Sequence, residues 1–208
     1  MCEKLINREG FSFFMIITIS GSPGSGKSTI AKLLVSKLGY ERVYAGGIMR
    51  DTARERGFSL EEFMEYLSSD AVLEKEIDYK VRDRAYALER DGKNVVVEGR
   101  VQYHLIPDSV KIYIKVVPKE GARRILKDLH DKQASADRNQ TIVDTIEDMV
   151  RLNNQREETD ALRYQSLYAI DHRVESQYDL VIDTTKLSAE KAAEKVLSFI
   201  RKNQGKGL

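Results

Sequence analysis

The feature that most constrains this chain is an eight-residue run, Gly21-Ser-Pro-Gly-Ser-Gly-Lys-Ser28, which matches the pattern G-x-x-x-x-G-K-[ST] in full. The apolar, β-branched residues 15–20 precede it, and residues 27–38, with apolar side chains at helical spacing, follow it. In such a strand–loop–helix context, glycines bring backbone N–H groups together at the positive end of a helix. The sequence therefore predicts a loop that cradles phosphates, and the residues expected to contact them are Gly21, Ser22, Pro23, Gly24, Ser25, Gly26, Lys27, Ser28 and Thr29.

Two side chains of this loop indicate the chemistry of the bound group. Lys27 is expected to reach the terminal phosphates of a nucleotide, and the Ser28 hydroxyl is expected to bind Mg²⁺. The pattern alone does not separate kinases from GTPases or motor ATPases. The chain has no Asn-Lys-x-Asp guanine motif, however, and 208 residues is short for a motor or assembly ATPase. Kinases of small molecules are the class that suits this length.

Strands and helices alternate along the rest of the chain. Strands are predicted at residues 15–20, 42–45, 94–98, 110–117 and 179–183, and helices at residues 27–38, 48–56, 59–68, 70–90, 118–130, 141–168 and 188–202. Continuously apolar strands that alternate with helices favour a three-layer α/β domain with a five-stranded parallel sheet. Long helical insertions separate the second strand from the third and the fourth from the fifth, and residues 131–140 are expected to form a polar loop.

Composition excludes several classes of protein. Lys and Arg total 34 and Asp and Glu total 33, so the formal net charge of +1 does not suit a protein that binds nucleic acid through bulk charge. The single cysteine, Cys2, allows no intrachain disulfide and fits a reducing, cytoplasmic location. No segment has the length and hydropathy of a membrane span, and residues 1–14 are expected to form an extension before a single domain of residues 15–208.

A transferred phosphoryl group carries spread negative charge, which planar, bidentate arginine side chains suit. Five arginines stand where they could converge on it: Arg50, Arg100, Arg124, Arg156 and Arg163. Arg100 follows the third strand at its carboxyl end, where ligands of open α/β sheets bind. Arg156, Asp160 and Arg163 share one face of the long helix, and this spacing also suits a surface salt-bridge stripe.

The chain resembles the nucleoside monophosphate kinases, and most closely the archaeal-type cytidylate kinases. The resemblance covers roughly residues 15–200 and rests on the phosphate loop together with the runs Ala45-Gly-Gly-Ile-Met-Arg50, Arg56-Gly-Phe-Ser-Leu-Glu-Glu-Phe63, Ile77-Asp78, Val95-Val-Val-Glu-Gly-Arg100 and Arg156-Glu-Glu-Thr-Asp-Ala-Leu-Arg-Tyr164. It implies transfer of the γ-phosphoryl group of ATP, with Mg²⁺, to CMP or dCMP by a monomer.

The resemblance also implies a division of the chain and roles for its residues. It implies a core of residues 15–45, 93–124 and 170–208, an acceptor-binding arm of about residues 46–92, and a lid of about residues 125–169. The implied roles are acceptor binding for Arg50 and Arg100, phosphate contacts for Arg124 (with Arg123 as the alternative) and Arg163, and sugar contacts for Arg156 and Asp160. The loop of residues 184–186 resembles the family's site for the adenine of ATP.

Several positions depart from the family pattern. Gly47 stands where aspartate is common, Ala45 where many bacterial relatives carry a serine that touches the base, and residues 101–104 are less typical. Asp78 and Arg82 are candidates for reading the acceptor base, and a surface ion pair is the alternative. A kinase for another small acceptor and a nucleotide-binding regulator without phosphotransfer remain the alternative functions.

Overall fold

Five parallel strands form the central sheet of the protein. The computed structural model describes residues 15–130, 143 and 145–204. The strands are β1 (Ile16–Gly21), β2 (Glu41–Tyr44), β3 (Val95–Glu98), β4 (Val110–Lys115) and β5 (Leu180–Asp183), and they lie in the order β2-β3-β1-β4-β5. All four pairings are parallel, so the carboxyl ends of β1, β3 and β4 lie beside one another at one edge. The predicted five-stranded parallel α/β sheet is confirmed.

Helices cover both faces of this sheet. They are α1 (Lys27–Leu38), α2 (Ala45–Glu55), α3 (Leu60–Ser69), α4 (Ala71–Arg90), α5 (Gln102–Leu105), α6 (Pro118–His130), α7 (Ile146–Tyr168) and α8 (Ala189–Gln204). In β1, Ile17 and Ile19 pack against α1 and α8, whereas Ile16 packs against α4 on the opposite face. This alternation is why β1 is apolar throughout, as expected of a strand that is buried on both faces.

The predicted elements differ from the observed ones at several boundaries. Helix α2 begins at Ala45, directly after β2, and not at residue 48, because packing overrides the low helix propensity of Gly46 and Gly47. The four-residue α5 was not predicted, and β4 ends at Lys115 instead of residue 117. The capping box of Ser59 and Glu62 is present at the start of α3.

The two long insertions contain the remaining helices. Between β2 and β3 lie α2, α3 and α4, with a small core of their own around Phe63 and Leu67. Between β4 and β5 lie α6 and α7, which pack on each other through Ile125 and Met149. Helix α7 begins after Thr145, whose side chain accepts a hydrogen bond from the Asp148 amide. The predictions for residues 1–14 and 131–140 fall outside the described residues.

Within the described part of the chain, no helix is both long and apolar enough to cross a membrane.

Candidate active site

The phosphate loop, residues 21–28, joins β1 to α1 and is held from two neighbouring strands. The Ser22 amide donates to the Ile114 carbonyl of β4 at 3.1 Å, and the Ser22 hydroxyl accepts from the Val116 amide at 3.2 Å. The Thr184 hydroxyl, after β5, donates to the Ser25 carbonyl at 2.9 Å. No side chain caps the start of α1, where Gly26 has φ 86°. The first N–H groups of α1 are therefore available to an anion.

Two glycines bring the phosphate loop against the first turns of α6. A Cβ on Gly24, which has φ +70°, would lie 2.3 Å from the Gly121 carbonyl oxygen, and a Cβ on Gly121 would lie 2.6 Å from the Pro23 carbonyl oxygen. Neither position has room for a side chain, and Gly24 also needs the left-handed backbone that glycine allows. The shape of the loop and the position of α6 are consequently fixed together.

Lys27 folds back on its own loop. Its Nζ donates to the carbonyl oxygens of Gly21 at 2.7 Å and Ser22 at 3.0 Å. Burial, with a further contribution from the positive charge of Arg100, lowers the pKa of Lys27 to about 7, while Glu98 opposes this shift. The Ser20 hydroxyl, directly before the phosphate loop, donates to the Arg100 carbonyl at 3.1 Å, so the end of β3 and the phosphate loop lie side by side.

Glu98, at the end of β3, joins the loop to β2. Its carboxylate accepts hydrogen bonds from the Ser28 hydroxyl and the Arg42 guanidinium, and the residue is 3% exposed. Glu98 was not among the predicted site residues. The sequence indicated a role for Glu98 only through its position at the end of an otherwise apolar buried strand, where an unpaired carboxylate is rare. Hydroxyl and carboxylate oxygens are ligands that suit Mg²⁺.

A network of ion pairs links β3, α4 and α7. Arg100 pairs with Asp160, and Arg163 pairs with Asp160 at 2.6 Å and with Glu74 at 3.0 Å. Both acidic partners are almost fully buried, Glu74 at 4% and Asp160 at 6% exposed. Burial raises the pKa of Glu74, and Arg163 opposes that shift. The spacing of Arg156, Asp160 and Arg163 therefore does more than form a surface stripe, because two of these residues reach other elements.

Asp78 of α4 faces α7 and does not pair with Arg82. It accepts a hydrogen bond from the Tyr168 hydroxyl at 2.8 Å, whereas Arg82 pairs with Asp83. Burial raises the pKa of Asp78 to about 6, although the Tyr168 hydrogen bond and the charge of Arg163 oppose the shift. Tyr168 was not predicted as a site residue, since at the sequence level it reads as a helix-packing side chain.

Arg50 and Arg156 approach the same tyrosine. The Arg50 guanidinium lies 5.2 Å from the centre of the Tyr44 ring, which Arg42 also contacts, at 4.6 Å. Arg156 is exposed, and partial desolvation together with the charge of Arg100 lowers its pKa to about 10; Tyr44 opposes this shift. Arg156 therefore stays protonated at neutral pH. Among the residues that the structure describes, these two arginines have no acidic partner like that of Arg100.

Arg124, and not Arg123, faces the interior. Its guanidinium donates to the Thr184 hydroxyl at 3.2 Å and to the Thr184 carbonyl at 2.6 Å, and it pairs with Glu120 at 2.8 Å. The Arg123 side chain is 53% exposed and pairs with Glu120 alone among the described residues. Arg124 thus supports the loop after β5, and through Thr184 it is connected to the phosphate loop.

A surface depression lies beside the loop that Arg124 supports. It has a volume of about 270 Å³ and is lined by Val117, Asp183, Thr185, Lys186 and Leu187. Val117 also borders an adjoining depression between the starts of α6 and α7. The predicted adenine loop therefore faces an opening on the phosphate-loop side of the protein.

Solved structures resemble this protein in fold. A shikimate kinase from Acinetobacter baumannii in complex with shikimate gives a TM-score of 0.56 at 19% identity and covers 94% of this chain and 97% of its own. An uncharacterised protein from Eubacterium ventriosum gives 0.62 at 14% identity and covers 90% of this chain and 98% of its own. At such identities the likeness concerns the fold alone, which is that of the P-loop kinases.

Sequence relatives are more specific. The family model described as AAA domain matches residues 17–144, which include the phosphate loop. The cytidylate kinase of Methanobrevibacter smithii is 32% identical over 90% of this chain and 99% of its own length. That of Methanocaldococcus jannaschii is 37% identical over 85% of this chain and 92% of its own. Together with the phosphate loop and the arginine network beside it, these matches show that the chain belongs to the archaeal cytidylate kinase family of P-loop kinases.

Proposed function

We propose that this protein is a cytidylate kinase, which transfers the γ-phosphoryl group of ATP to CMP or dCMP and releases ADP with CDP or dCDP. The observation that carries the proposal is the convergence of Lys27 and Arg100. Lys27 belongs to the loop suited to the donor phosphates, and Arg100 follows the adjacent strand β3, where its carbonyl accepts a hydrogen bond from Ser20 at the start of that loop at 3.1 Å. A kinase needs such an arrangement, because two polyanions must be held in line within one space.

On the donor side, the phosphate loop would bind the ATP phosphates through its backbone N–H groups and Lys27. The adenine would lie in the depression lined by Val117, Thr185 and Lys186. Arg124 supports this loop from behind, through its hydrogen bonds to Thr184. We therefore assign Arg124 a role in holding the donor side, through the loop and the Ser25 carbonyl that Thr184 contacts.

On the acceptor side, arginines from three elements would hold the monophosphate: Arg50 of α2, Arg100 after β3, and Arg156 and Arg163 of α7. Asp160 and Glu74 form ion pairs with two of these guanidinium groups, those of Arg100 and Arg163. The acceptor phosphate would take over contacts that the carboxylates now hold, which would free Asp160 for the sugar. Asp78 lies on the same side of the site and is assigned to the acceptor.

Mg²⁺ fits the hydroxyl of Ser28 and the carboxylate of Glu98, which contact each other at the loop. When bound with ATP, it would neutralise charge on the donor phosphates. The residues of the chain do the rest: the loop and the arginines position the two phosphates and offset the charge of the transition state. No residue is required as a general base.

The helices between β2 and β3 would form the acceptor-binding arm, and α6 and α7 would belong to the lid. Closure of both would exclude water from the transferring phosphoryl group, and so limit ATP hydrolysis. Since the two units must swing independently, we propose that the protein acts as a monomer. A cytoplasmic location follows from the reaction, which needs ATP, and fits the single cysteine.

The test is ADP release from Mg-ATP with CMP, dCMP, UMP, AMP or GMP, measured for the wild type and for Lys27→Ala. We expect turnover with CMP and dCMP, and a loss of kcat of about a hundredfold or more in the variant, because the charge on the transferred group loses its partner. The Lys27→Ala variant should keep its Tm. Turnover with another monophosphate instead would place the chain as a different kinase, and ATP binding without turnover would favour a regulator.

A further inference from the structure

One buried side chain beside the acceptor site has an unused hydrogen-bonding group. Gln102, in the first turn of α5, is 0% exposed and lies two residues after Arg100. Its Nε2 donates to the backbone carbonyl of Asp78 at 3.4 Å. Its Oε1 is buried and has no hydrogen-bond partner among the described residues. A buried amide oxygen without a donor destabilises the free protein, and such a group calls for a reason.

Gln102 is packed tightly at the end of β3. A Cβ on Gly99 would lie 2.7 Å from the Cγ of Gln102 and 3.2 Å from the Cβ of Ala45. Gly99 thus has no room for a side chain between the stem of the Gln102 side chain and Ala45, the first residue of α2. The other side of the amide rests on α4 at Asp78. Gln102 therefore lies between the end of β3 and α4, close to the start of α2.

The hydrogen bond to Asp78 orients the amide. One Nε2 hydrogen points to the Asp78 carbonyl, which leaves Oε1 as a free acceptor and the second Nε2 hydrogen as a free donor. An acceptor next to a donor matches a base edge on which an exocyclic amino group stands beside an unprotonated ring nitrogen. Cytosine has this edge, with its N4 amino group beside N3, and adenine has it as well, with its N6 amino group beside N1. Uracil has the reverse order, a ring N–H beside a carbonyl, and its carbonyl would face the Gln102 oxygen.

We propose that Gln102 is the residue that reads the base of the acceptor nucleotide, with Oε1 accepting from its amino group and Nε2 donating to its ring nitrogen. This inference rests on the proposed function and adds its specificity. Because Gln102 is covered in the free protein, the base can reach it only when α2 and α4 move away from the end of β3. Recognition of the base by Gln102 would therefore require the acceptor-binding arm to open.

The decisive variant is Gln102→Met, which keeps the length of the side chain and removes both polar groups. We expect kcat/KM for CMP to fall about ten- to hundredfold, because a site built to hydrogen-bond a substrate loses much when those bonds cannot form. Activity with UMP should stay level or rise, so the ratio of CMP to UMP activity collapses. The Tm should stay level or rise, since the variant removes an unsatisfied buried group. A role in packing alone predicts a change in Tm and an unchanged ratio.

Thr52→Val is the matched control. Thr52 is also buried in the arm, at 4% exposed, and within the described part of the chain its hydroxyl bonds only to the backbone of its own helix, at the Ile48 carbonyl. Its base preference should equal that of the wild type. Should Gln102→Met fail to fold, Gln102→Asn carries the same test, because it keeps the amide and withdraws it by one methylene.

The possible outcomes separate this inference from the proposed function. A wild type that phosphorylates CMP, with a variant whose CMP to UMP ratio is unchanged, would overturn the assignment of Gln102 and leave the kinase intact. A wild type that does not phosphorylate CMP would overturn both. A collapsed ratio at unchanged or higher Tm would establish Gln102 as the specificity residue.

Discussion

At the scale of single residues, the surroundings of Lys27 make its amine titrate near neutral pH. Its amine is held by two carbonyl oxygens of the phosphate loop, in a buried position that Arg100 makes more positive. These surroundings bring its pKa to about 7, so that about half of the molecules carry a neutral amine at neutral pH. Triphosphate binding would surround the same amine with negative charge and restore its ordinary affinity for a proton.

We therefore predict that ATP binding at pH 7 takes up about half a proton per site through Lys27. The measurement is calorimetry in buffers that differ in ionisation enthalpy, with Lys27→Met as the reference. The nucleotide's own proton exchange is common to both proteins, so their difference isolates the lysine. Equal proton uptake by the two proteins would show that Lys27 is already charged before the nucleotide arrives.

Residues near one another in the sequence were easier to predict than residues that meet through space. The phosphate loop is a continuous run whose spacing encodes its shape, and Ser28 lies where the pattern placed it. Glu98, Gln102 and Tyr168 lie on separate elements. Glu98 contacts Ser28, and both Gln102 and Tyr168 contact Asp78. These partners lie far apart in the sequence, so no local spacing could identify the contacts.

At the scale of elements, α4 and α7 are held together by two polar contacts. Tyr168 donates to Asp78 at 2.8 Å, and Arg163 pairs with Glu74 at 3.0 Å. The first contact involves a carboxylate whose pKa is raised to about 6, mainly by burial. Since folding raises this pKa above the value of about 4 in an unfolded chain, Asp78 favours the folded state at low pH. Its contribution is lost as the pH rises through about 6.

Asp78→Asn, which is neutral at every pH and still accepts the Tyr168 hydrogen bond, should remove this dependence. We expect the variant to exceed the wild type in unfolding free energy by about 1–2 kcal/mol at pH 7.5, with the difference vanishing near pH 4. Urea unfolding of both proteins across this pH range measures it. A difference that is constant with pH would mean that Asp78 titrates as it does in water.

The boundaries of the elements were predicted well where local signals are strong. The capping box at Ser59 and the glycine after α1 fixed their helix ends by local geometry. Helix α2 begins three residues early because tertiary packing tolerates Gly46 and Gly47, which on propensity alone oppose a helix. The four residues of α5 are too few to show a periodic pattern, so the helical turn that carries Gln102 could not be predicted from the sequence.

At the scale of the whole molecule, a buried histidine contributes to the loss of stability of the protein at low pH. His172, in the segment after α7, is 1% exposed, and its ring lies edge-on to Tyr164 at 5.3 Å between centres. Burial, followed by the charge of Arg100, lowers its pKa to about 4. Its contribution to folding is therefore complete above the unfolded value of about 6.5 and is lost as the pH falls towards 4.

His172→Phe should remove that loss while keeping an aromatic ring against Tyr164. Between pH 7.5 and pH 5, the variant should lose about 1–2 kcal/mol less unfolding free energy than the wild type loses. The same urea series measures it. Asp78 favours the folded state at low pH and His172 favours it at high pH. Relative to the wild type, the unfolding free energy should therefore rise with pH in Asp78→Asn and fall with pH in His172→Phe. Curves parallel to that of the wild type would contradict both assignments.

The contact between Gly24 and Gly121 has a consequence for how such a sequence can change over time. A methyl group at either position would collide with the backbone of the other segment. Replacement of one glycine cannot be rescued by shrinking the other, since neither has a side chain to give up. Position 121 is therefore as closed to mutation as the phosphate loop itself, although no motif marks it. In a library of random variants, position 121 should therefore tolerate as few substitutions as the positions of the phosphate loop.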